Sequence, residues 1–156
     1  MENLESKLPL LFANGECKSL QTMNLGQLQR FLLFILKCEQ CIPIIPNSLR
    51  VFQPPKWWPE DIDYDDELLR KTKQKGLWSR NIRRIIGNCY EHYQSEFLLE
   101  FSQRLEVISA RDGSIIIKDN GNGTRSMISA ANQKLLVIFR SENQDYDKEY
   151  HEYFES

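Results

Sequence analysis

The chain has 156 residues, of which 41% are hydrophobic and 27% charged, and its formal net charge is −2. This length fits one domain, or one domain plus tails, and the apolar fraction can fill a core, which excludes a wholly disordered chain. The apolar run Phe31–Leu36 ends at Lys37, so no membrane-spanning helix is expected. The acidic N-terminus and the four cysteines indicate neither a signal peptide nor a disulfide scaffold, and we expect an intracellular protein with reduced thiols.

The charge is unevenly distributed along the chain. Seven basic residues and no acidic ones lie within Arg70–Arg84, directly after a block of six acids within Glu60–Glu67. Residues 141–156 are again rich in acids. Local concentrations of charge matter more than the total when the partner is a polyanion. The basic segment therefore favours nucleic-acid binding, with a solvated charged face as the alternative.

The first predicted helix starts near residue 22. The preceding residues are expected to be irregular, because Pro9 and Asn14-Gly15 interrupt regular structure. Thr22 is predicted to cap a helix that runs to about Cys38. Its apolar residues recur at helical spacing and are expected to bury one face; they are Leu25, Leu28, Phe31, Leu32, Ile35 and Leu36.

The middle of the chain is predicted to contain a connector and a short helix. Residues 40–56 form the connector, and Trp57 and Trp58 after it are expected to pack on the helices, because exposed tryptophans are costly. The range Asp63–Gln74 has acids near its start and bases near its end, which complements a helix dipole. Gly76 is expected to end this helix.

The strongest helical signal in the chain begins at Trp78. Apolar side chains at offsets 0, 4, 7, 8, 11 and 15 form one continuous stripe. The stripe consists of Trp78, Ile82, Ile85, Ile86, Cys89 and Tyr93. A second face of the same helix consists of Arg80, Arg83, Arg84, Gly87 and Asn88. The predicted structural core around this helix is Trp57, Trp58, Trp78, Ile82, Ile85, Cys89 and Tyr90.

Another helix and then strands are predicted towards the C-terminus. Ser95 can cap the helix, whose inward-facing residues are expected to be Phe97, Leu98, Phe101 and Leu105. The runs Ile115–Ile117 and Leu135–Phe139, with a turn at Asp119–Gly123, predict a small β-hairpin or meander.

The predicted fold class is therefore mainly α, with a small helix-turn-helix-like domain followed by a short β-hairpin or meander. The expected organisation is an irregular segment over residues 1–21, a helical DNA-binding domain over 22–108, a β-hairpin extension over 109–140 and an acidic tail over 141–156. The helix-turn-helix-like docking is inferred from the helix lengths and the basic face.

The basic helix is the best candidate for a functional site. An α-helix fits the major groove of DNA, where arginine can donate two hydrogen bonds to guanine. Arg80, Arg83 and Arg84 lie within about one turn and can meet one groove together. Gly87 removes a side chain where the helix would approach the duplex, and Asn88 can contact adenine or phosphate. The cations expected to neutralise phosphate are Lys71, Lys73 and Lys75.

Metal and catalytic chemistry have little support in the sequence. Cys38 and Cys41 have the spacing of half a zinc site, but the remaining cysteines and histidines are not paired at a ligand spacing. Cys89 and His92 are three residues apart on the predicted helix and could form a nucleophile–base pair. However, a cysteine on an apolar stripe usually serves as a small core side chain. We expect no metal, no cofactor and no enzymatic activity.

Three stretches together resemble the DNA-binding region of the nuclear respiratory factor / erect wing family of transcription factors. They are Met23–Phe31, the string Trp57–Ile62, and the range from Trp78 to Leu99. The resemblance covers roughly residues 8–102, and the tryptophan-rich string is chemically uncommon. It implies a nuclear, sequence-specific protein that binds double-stranded DNA at GC-rich palindromic promoter sites, with DNA contacts from Arg83 and Asn88.

Two departures from the family pattern bear on partners. Gly87 stands where the family is expected to have lysine. The chain begins close to the Met23 helix, so we expect the family's dimerisation region to be missing, which leaves a homo- or heterodimer partner open. The alternative function is a protein-interaction adaptor that retains the fold without DNA binding or dimerisation, because the acidic blocks can shield the basic helix.

Overall fold

Two short strands, β1 (Phe12–Ala13) and β2 (Glu16–Cys17), form an antiparallel hairpin near the N-terminus. The computed structural model describes residues 8–40, 54–64, 68, 73–109 and 113–146. The Asn14-Gly15 turn has φ angles of 54° and 79°, as in the two-residue turns that favour this dipeptide. The expectation of irregular structure is therefore wrong for residues 12–17, where Asn14-Gly15 joins two strands.

The first helix, α1 (Leu25–Gln40), begins three residues after the predicted cap at Thr22. Asn24 and Gln27 cap it reciprocally, since each side-chain oxygen accepts a hydrogen bond of 2.9 Å from the other residue's backbone N–H. This arrangement is a capping box. The Thr22 hydroxyl bonds the Ser19 carbonyl oxygen instead, at 3.1 Å.

The next two helices, α2 (Lys75–His92) and α3 (Glu96–Ser109), pack consecutively against the core. Gly76 lies in the first turn of α2, so the expectation that it ends a preceding helix is wrong. Residues 65–67 and 69–72 of the helix expected over Asp63–Gln74 lie outside the described part. The expectation that Phe97 faces inward is wrong, because this residue is 49% exposed. The buried stripe of α3 runs at four- and three-residue steps through Leu98, Ser102 and Leu105.

Three antiparallel strands form a meander after α3, in the order β3-β4-β5. They are β3 (Ile115–Asp119), β4 (Thr124–Ser129) and β5 (Leu135–Arg140). Gly121 and Gly123 have positive φ angles in the turn between β3 and β4. Met127 and Val137 face each other in register, and each is at most 1% exposed.

Residues 141–146 are helical and belong to the core. The Tyr146 ring stacks on Phe34 of α1, with centroids 4.5 Å apart and planes 7° apart. The Asn143 amide both accepts from the Leu10 N–H at 2.9 Å and donates to the Leu10 carbonyl oxygen at 2.8 Å. The first six residues of the expected acidic tail are therefore packed, while residues 147–156 lie outside the described part.

The described part of the chain is a mixed α/β fold, in which a two-stranded and a three-stranded antiparallel sheet accompany the helices, and the expectation of a mainly α, helix-turn-helix-like domain is wrong. The physical reason is that the sheet contributes to the same core as the helices: Phe139 of β5 packs on Phe12 of β1, with ring centroids 5.1 Å apart. The boundaries of the expected domains stay a prediction. Within the described ranges, every helix is too short or too polar to cross a membrane.

Candidate nucleic-acid interface

Helix α2 divides into a buried apolar face and an exposed basic face. Its buried residues are Ser79, Ile82, Ile85, Ile86, Cys89 and Tyr90. The exposed residues Arg80, Arg84 and Asn88 follow one another at four-residue steps and form one row on the outer face. We call these three residues the outer row. The buried face fixes the helix to the core, and the outer row is exposed to solvent.

Arg84 forms a two-point ion pair with Asp61. Its Nη1 and Nη2 donate to the two carboxylate oxygens at 2.9 and 3.0 Å. These hydrogen bonds lower the pKa of Asp61 and raise that of Arg84. The side chains are 48% and 66% exposed, and exposed pairs of this kind contribute little to stability. The pair therefore sets the direction of Arg84 and leaves it accessible from solvent.

Asp61 lies in a turn over Trp57–Ile62 that is closed by two hydrogen bonds. The Trp58 indole N–H donates to the Ile62 carbonyl oxygen at 2.8 Å, and the Ile62 backbone N–H donates to the Pro59 carbonyl oxygen at 3.3 Å. Trp57 and Trp58 are 6% and 8% exposed, so their rings anchor the turn in the core. We call this segment the tryptophan turn.

Arg83 points to the loop that precedes α1. Its Nε donates to the Leu20 carbonyl oxygen at 2.8 Å and its Nη2 to that of Met23 at 3.1 Å. The side chain is half-buried, unlike that of Arg80. No local pattern in the sequence indicates these bonds, because the partners are 63 and 60 residues away.

The other predicted contact residues are placed as follows. Arg80, Lys73 and Lys75 are exposed and form no ion pair with any carboxylate of the described residues. Asn88 donates from Nδ2 to the Trp57 carbonyl oxygen at 3.4 Å. A Cβ added to Gly87 would have no atom within 4 Å. Lys71 lies outside the described part of the chain.

The two cysteines whose side chains the structure describes, Cys17 and Cys89, are both buried. Cys17 is buried, and burial is the main cause that raises the pKa of its thiol to about 12. Cys89 is 0% exposed, so its thiol is closed to a substrate. Among the residues that the structure describes, no group of His, Cys, Asp or Glu could hold a metal. Cys41 and the side chain of Cys38 lie outside the described part, so the structure does not test the Cys38–Cys41 spacing.

A family model described as the NLS-binding and DNA-binding and dimerisation domains of Nrf1 matches residues 1–103. That range contains α1, α2, the tryptophan turn and most of α3. Because the description includes dimerisation domains, the expectation that the dimerisation region is missing from this chain is not confirmed.

Curated relatives are similar to a part of the chain. Nuclear respiratory factor 1 of Danio rerio is 32% identical over 111 residues, or 62% of this chain and 19% of the relative. The Homo sapiens protein of that name is 30% identical over 113 residues, or 63% and 20%. The DNA-binding protein Ewg of Drosophila melanogaster is 30% identical over 97 residues, or 60% and 13%. The chain therefore spans a fifth or less of these relatives. The resemblance carried by the three sequence stretches is confirmed, and the chain belongs to the family of the Nrf1 DNA-binding region.

Proposed function

We propose that this chain is a nuclear, sequence-specific DNA-binding protein of the transcription-factor type, which recognises GC-rich promoter DNA through the basic face of α2. The observation that carries the proposal is the outer row. Arg80 and Arg84 project from one side of a helix whose opposite side is anchored in the core. The family match supports DNA as the partner, with a homo- or heterodimer partner as a second expectation.

The chemistry of the outer row suits the major groove. A helix fits that groove, and a guanidinium can donate to O6 and N7 of one guanine. Arg80 and Arg84 are one turn apart, so both can reach the edges of neighbouring base pairs. Asn88 follows on the same row, and its amide can pair with adenine or hold a phosphate.

The remaining basic residues have different roles in this proposal. Lys71, Lys73 and Lys75 precede or start α2, where they neutralise phosphate and add affinity without sequence preference. Arg83 uses two N–H groups on backbone carbonyls. We therefore give it the role of fixing α2 against the loop before α1, with its free N–H groups directed to the phosphate backbone.

The test is a binding titration by fluorescence anisotropy, with a GC-rich duplex and an AT-rich duplex of equal length. We expect tighter binding of the GC-rich duplex and a log–log salt slope of roughly −5 to −6, which corresponds to about six phosphate contacts. Lys73→Ala should weaken both duplexes equally and reduce the slope by about one. Arg80→Ala should mainly reduce the preference.

The matched control is Arg140→Ala, which removes an exposed cation from β5 rather than from α2. It should leave both the preference and the salt slope close to those of the wild type. Equal affinity of the wild type for the two duplexes at every salt concentration would overturn the proposal.

A second candidate function, a protein-interaction adaptor, is favoured by the ion pair between Arg84 and Asp61, which neutralises one cation of the outer row. An adaptor would bind a protein partner at high salt and would not shift DNA at low salt. The anisotropy titration at low salt therefore separates the two functions.

A further inference from the structure

We propose that Asp61 is a positioning residue for DNA recognition, which holds the guanidinium of Arg84 in the orientation that meets a base edge. The inference rests on the proposed function and assigns part of the sequence preference to a residue outside α2. Asp61 would not touch the DNA itself. It would act through the two hydrogen bonds that it accepts from Arg84.

The backbone that carries Asp61 is held rigidly. Asp61 lies in the tryptophan turn, between the Pro59 carbonyl and the Ile62 N–H that close it. The turn is anchored by the buried tryptophans, and the Asn88 amide of α2 donates to the Trp57 carbonyl oxygen. The backbone at Asp61 is therefore fixed relative to the helix that carries Arg84, and the carboxylate is oriented by its two hydrogen bonds with that arginine.

Arg84 keeps enough hydrogen-bond donors to bind a base while it is paired with Asp61. A guanidinium has five N–H groups in one plane, and the pair with Asp61 uses one on each terminal nitrogen. Three N–H groups remain, whereas recognition of guanine O6 and N7 needs two. Arg84 can therefore keep Asp61 and bind a base in the same plane. A fixed plane also reduces the side-chain entropy that binding would cost.

Asp61 can affect DNA binding in two ways, by orienting Arg84 and by shielding the basic face. A carboxylate near the phosphates repels DNA of every sequence, so its charge lowers affinity without changing the preference. An oriented guanidinium changes the preference. Removal of the Asp61 charge therefore has two distinguishable effects, and the ratio of two dissociation constants reports only the second.

The experiment compares Asp61→Asn with Glu60→Gln in the full chain. Both variants remove one negative charge from the same turn, and Glu60 is exposed and forms no ion pair with a described residue. The readout is the ratio of dissociation constants for the AT-rich and the GC-rich duplex. We expect Asp61→Asn to lower this ratio about three- to ten-fold, a part of the discrimination from one bidentate contact. Glu60→Gln should leave the ratio unchanged.

A double variant assigns the effect to Arg84. In the Arg84→Ala background, Asp61→Asn should leave the ratio unchanged, because there is no guanidinium to orient. The same drop in that background would overturn the inference. So would tighter binding of both duplexes by Asp61→Asn at a constant ratio, which is the result of shielding alone.

The outcomes also separate this inference from the proposed function. If the wild type prefers the GC-rich duplex and Asp61→Asn keeps that preference, only the role of Asp61 is wrong. If the wild type has no preference, the proposed function and the role of Asp61 are both wrong. Thermal unfolding of each variant, followed by circular dichroism, verifies that it is folded in the titration.

Discussion

Arg83 donates a hydrogen bond from Nε to the carbonyl oxygen of Leu20 at 2.8 Å, and this bond ties the middle of α2 to the loop before α1. A second bond joins Nη2 to the Met23 carbonyl oxygen. Leu20 and Met23 are 7% and 1% exposed, so these carbonyls depend on partners within the protein. The most central arginine of the predicted DNA-binding face thus contributes to the fold.

We predict that Arg83→Ala lowers the free energy of unfolding by about 2–3 kcal/mol, because it removes two charge-assisted hydrogen bonds and leaves two carbonyls unsatisfied. Arg83→Lys should restore only part of the loss, since an ammonium cannot reproduce the fork geometry. The measurement is urea unfolding followed by circular dichroism. Arg80→Ala on the exposed face should stay within about 0.5 kcal/mol of the wild type. Equal losses for the two alanine variants would contradict the assigned role.

The elements that the sequence predicts well are those specified by local patterns. The stripe that includes Ile82 and Ile85 has a helical period, and the Asp119–Gly123 cluster has the composition of a turn; both features require only neighbouring residues. The burial of Tyr146 could not be predicted in this way. It depends on Phe34 and on the Phe12 carbonyl oxygen, which is 134 residues away along the chain.

The candidate site, too, can be predicted from the sequence only where local patterns specify it. The charge pattern identifies Arg70–Arg84 as the basic segment, and the helical period identifies which side of α2 is apolar. Neither pattern distinguishes the half-buried Arg83 from the exposed Arg80. The hydrogen bonds of Arg83 go to a loop that is distant in the sequence. The pairing of Arg84 with Asp61 was foreseeable only as a general attraction between the acidic and basic blocks.

A second prediction concerns the helix over residues 141–146. Tyr146→Phe keeps the stacked ring but removes the hydroxyl that donates to the Phe12 carbonyl oxygen, and we expect a loss of about 1 kcal/mol. Tyr146→Ala also removes the ring from a buried site, with an expected loss of about 3–5 kcal/mol. Urea unfolding measures both losses.

The matched control in the same helix is Glu142→Ala. Glu142 is exposed and pairs with Lys37 at the surface, so its removal should cost about 1 kcal/mol at most. A Tyr146→Ala variant as stable as the control would show that this helix does not contribute to the core.

A third prediction concerns alkaline pH. Burial, with a smaller effect of Glu106, raises the pKa of the Cys17 thiol to about 12, whereas an unfolded thiol ionises near pH 8.5. Between these values the unfolded chain loses a proton that the folded chain keeps. The contribution of Cys17 to stability is therefore complete below about pH 8.5 and declines above it, by up to about 1.4 kcal/mol per pH unit.

Urea unfolding of the wild type and Cys17→Ala at pH values from 8 to 11 isolates this contribution. The free energy of unfolding should fall more steeply with pH for the wild type than for the variant. Parallel curves would show that the Cys17 thiol titrates normally. Iodoacetamide offers a second readout, because it should modify Cys17 only after the chain is unfolded.

The fourth prediction concerns Gly87, the glycine in the interior of α2. An added Cβ would meet no atom within 4 Å, and alanine is more favourable than glycine within a helix by about 0.5–1 kcal/mol. Gly87→Ala should therefore stabilise the fold by about this amount. In the proposed DNA complex, Gly87 is next to Asn88 where the helix approaches the duplex, so the added methyl should weaken DNA binding several-fold.

Gly76→Ala is the matched control, since Gly76 also lies in α2 and its Cβ would have no neighbour within 4 Å. It should not weaken DNA binding. Stability from urea unfolding and affinity from anisotropy should therefore move in opposite directions only for Gly87→Ala. If Gly87→Ala is stabilised and binds DNA as tightly as the wild type, the backbone at Gly87 does not approach the duplex, and the contact surface must be restricted to the half of α2 that contains Arg80 and Arg84.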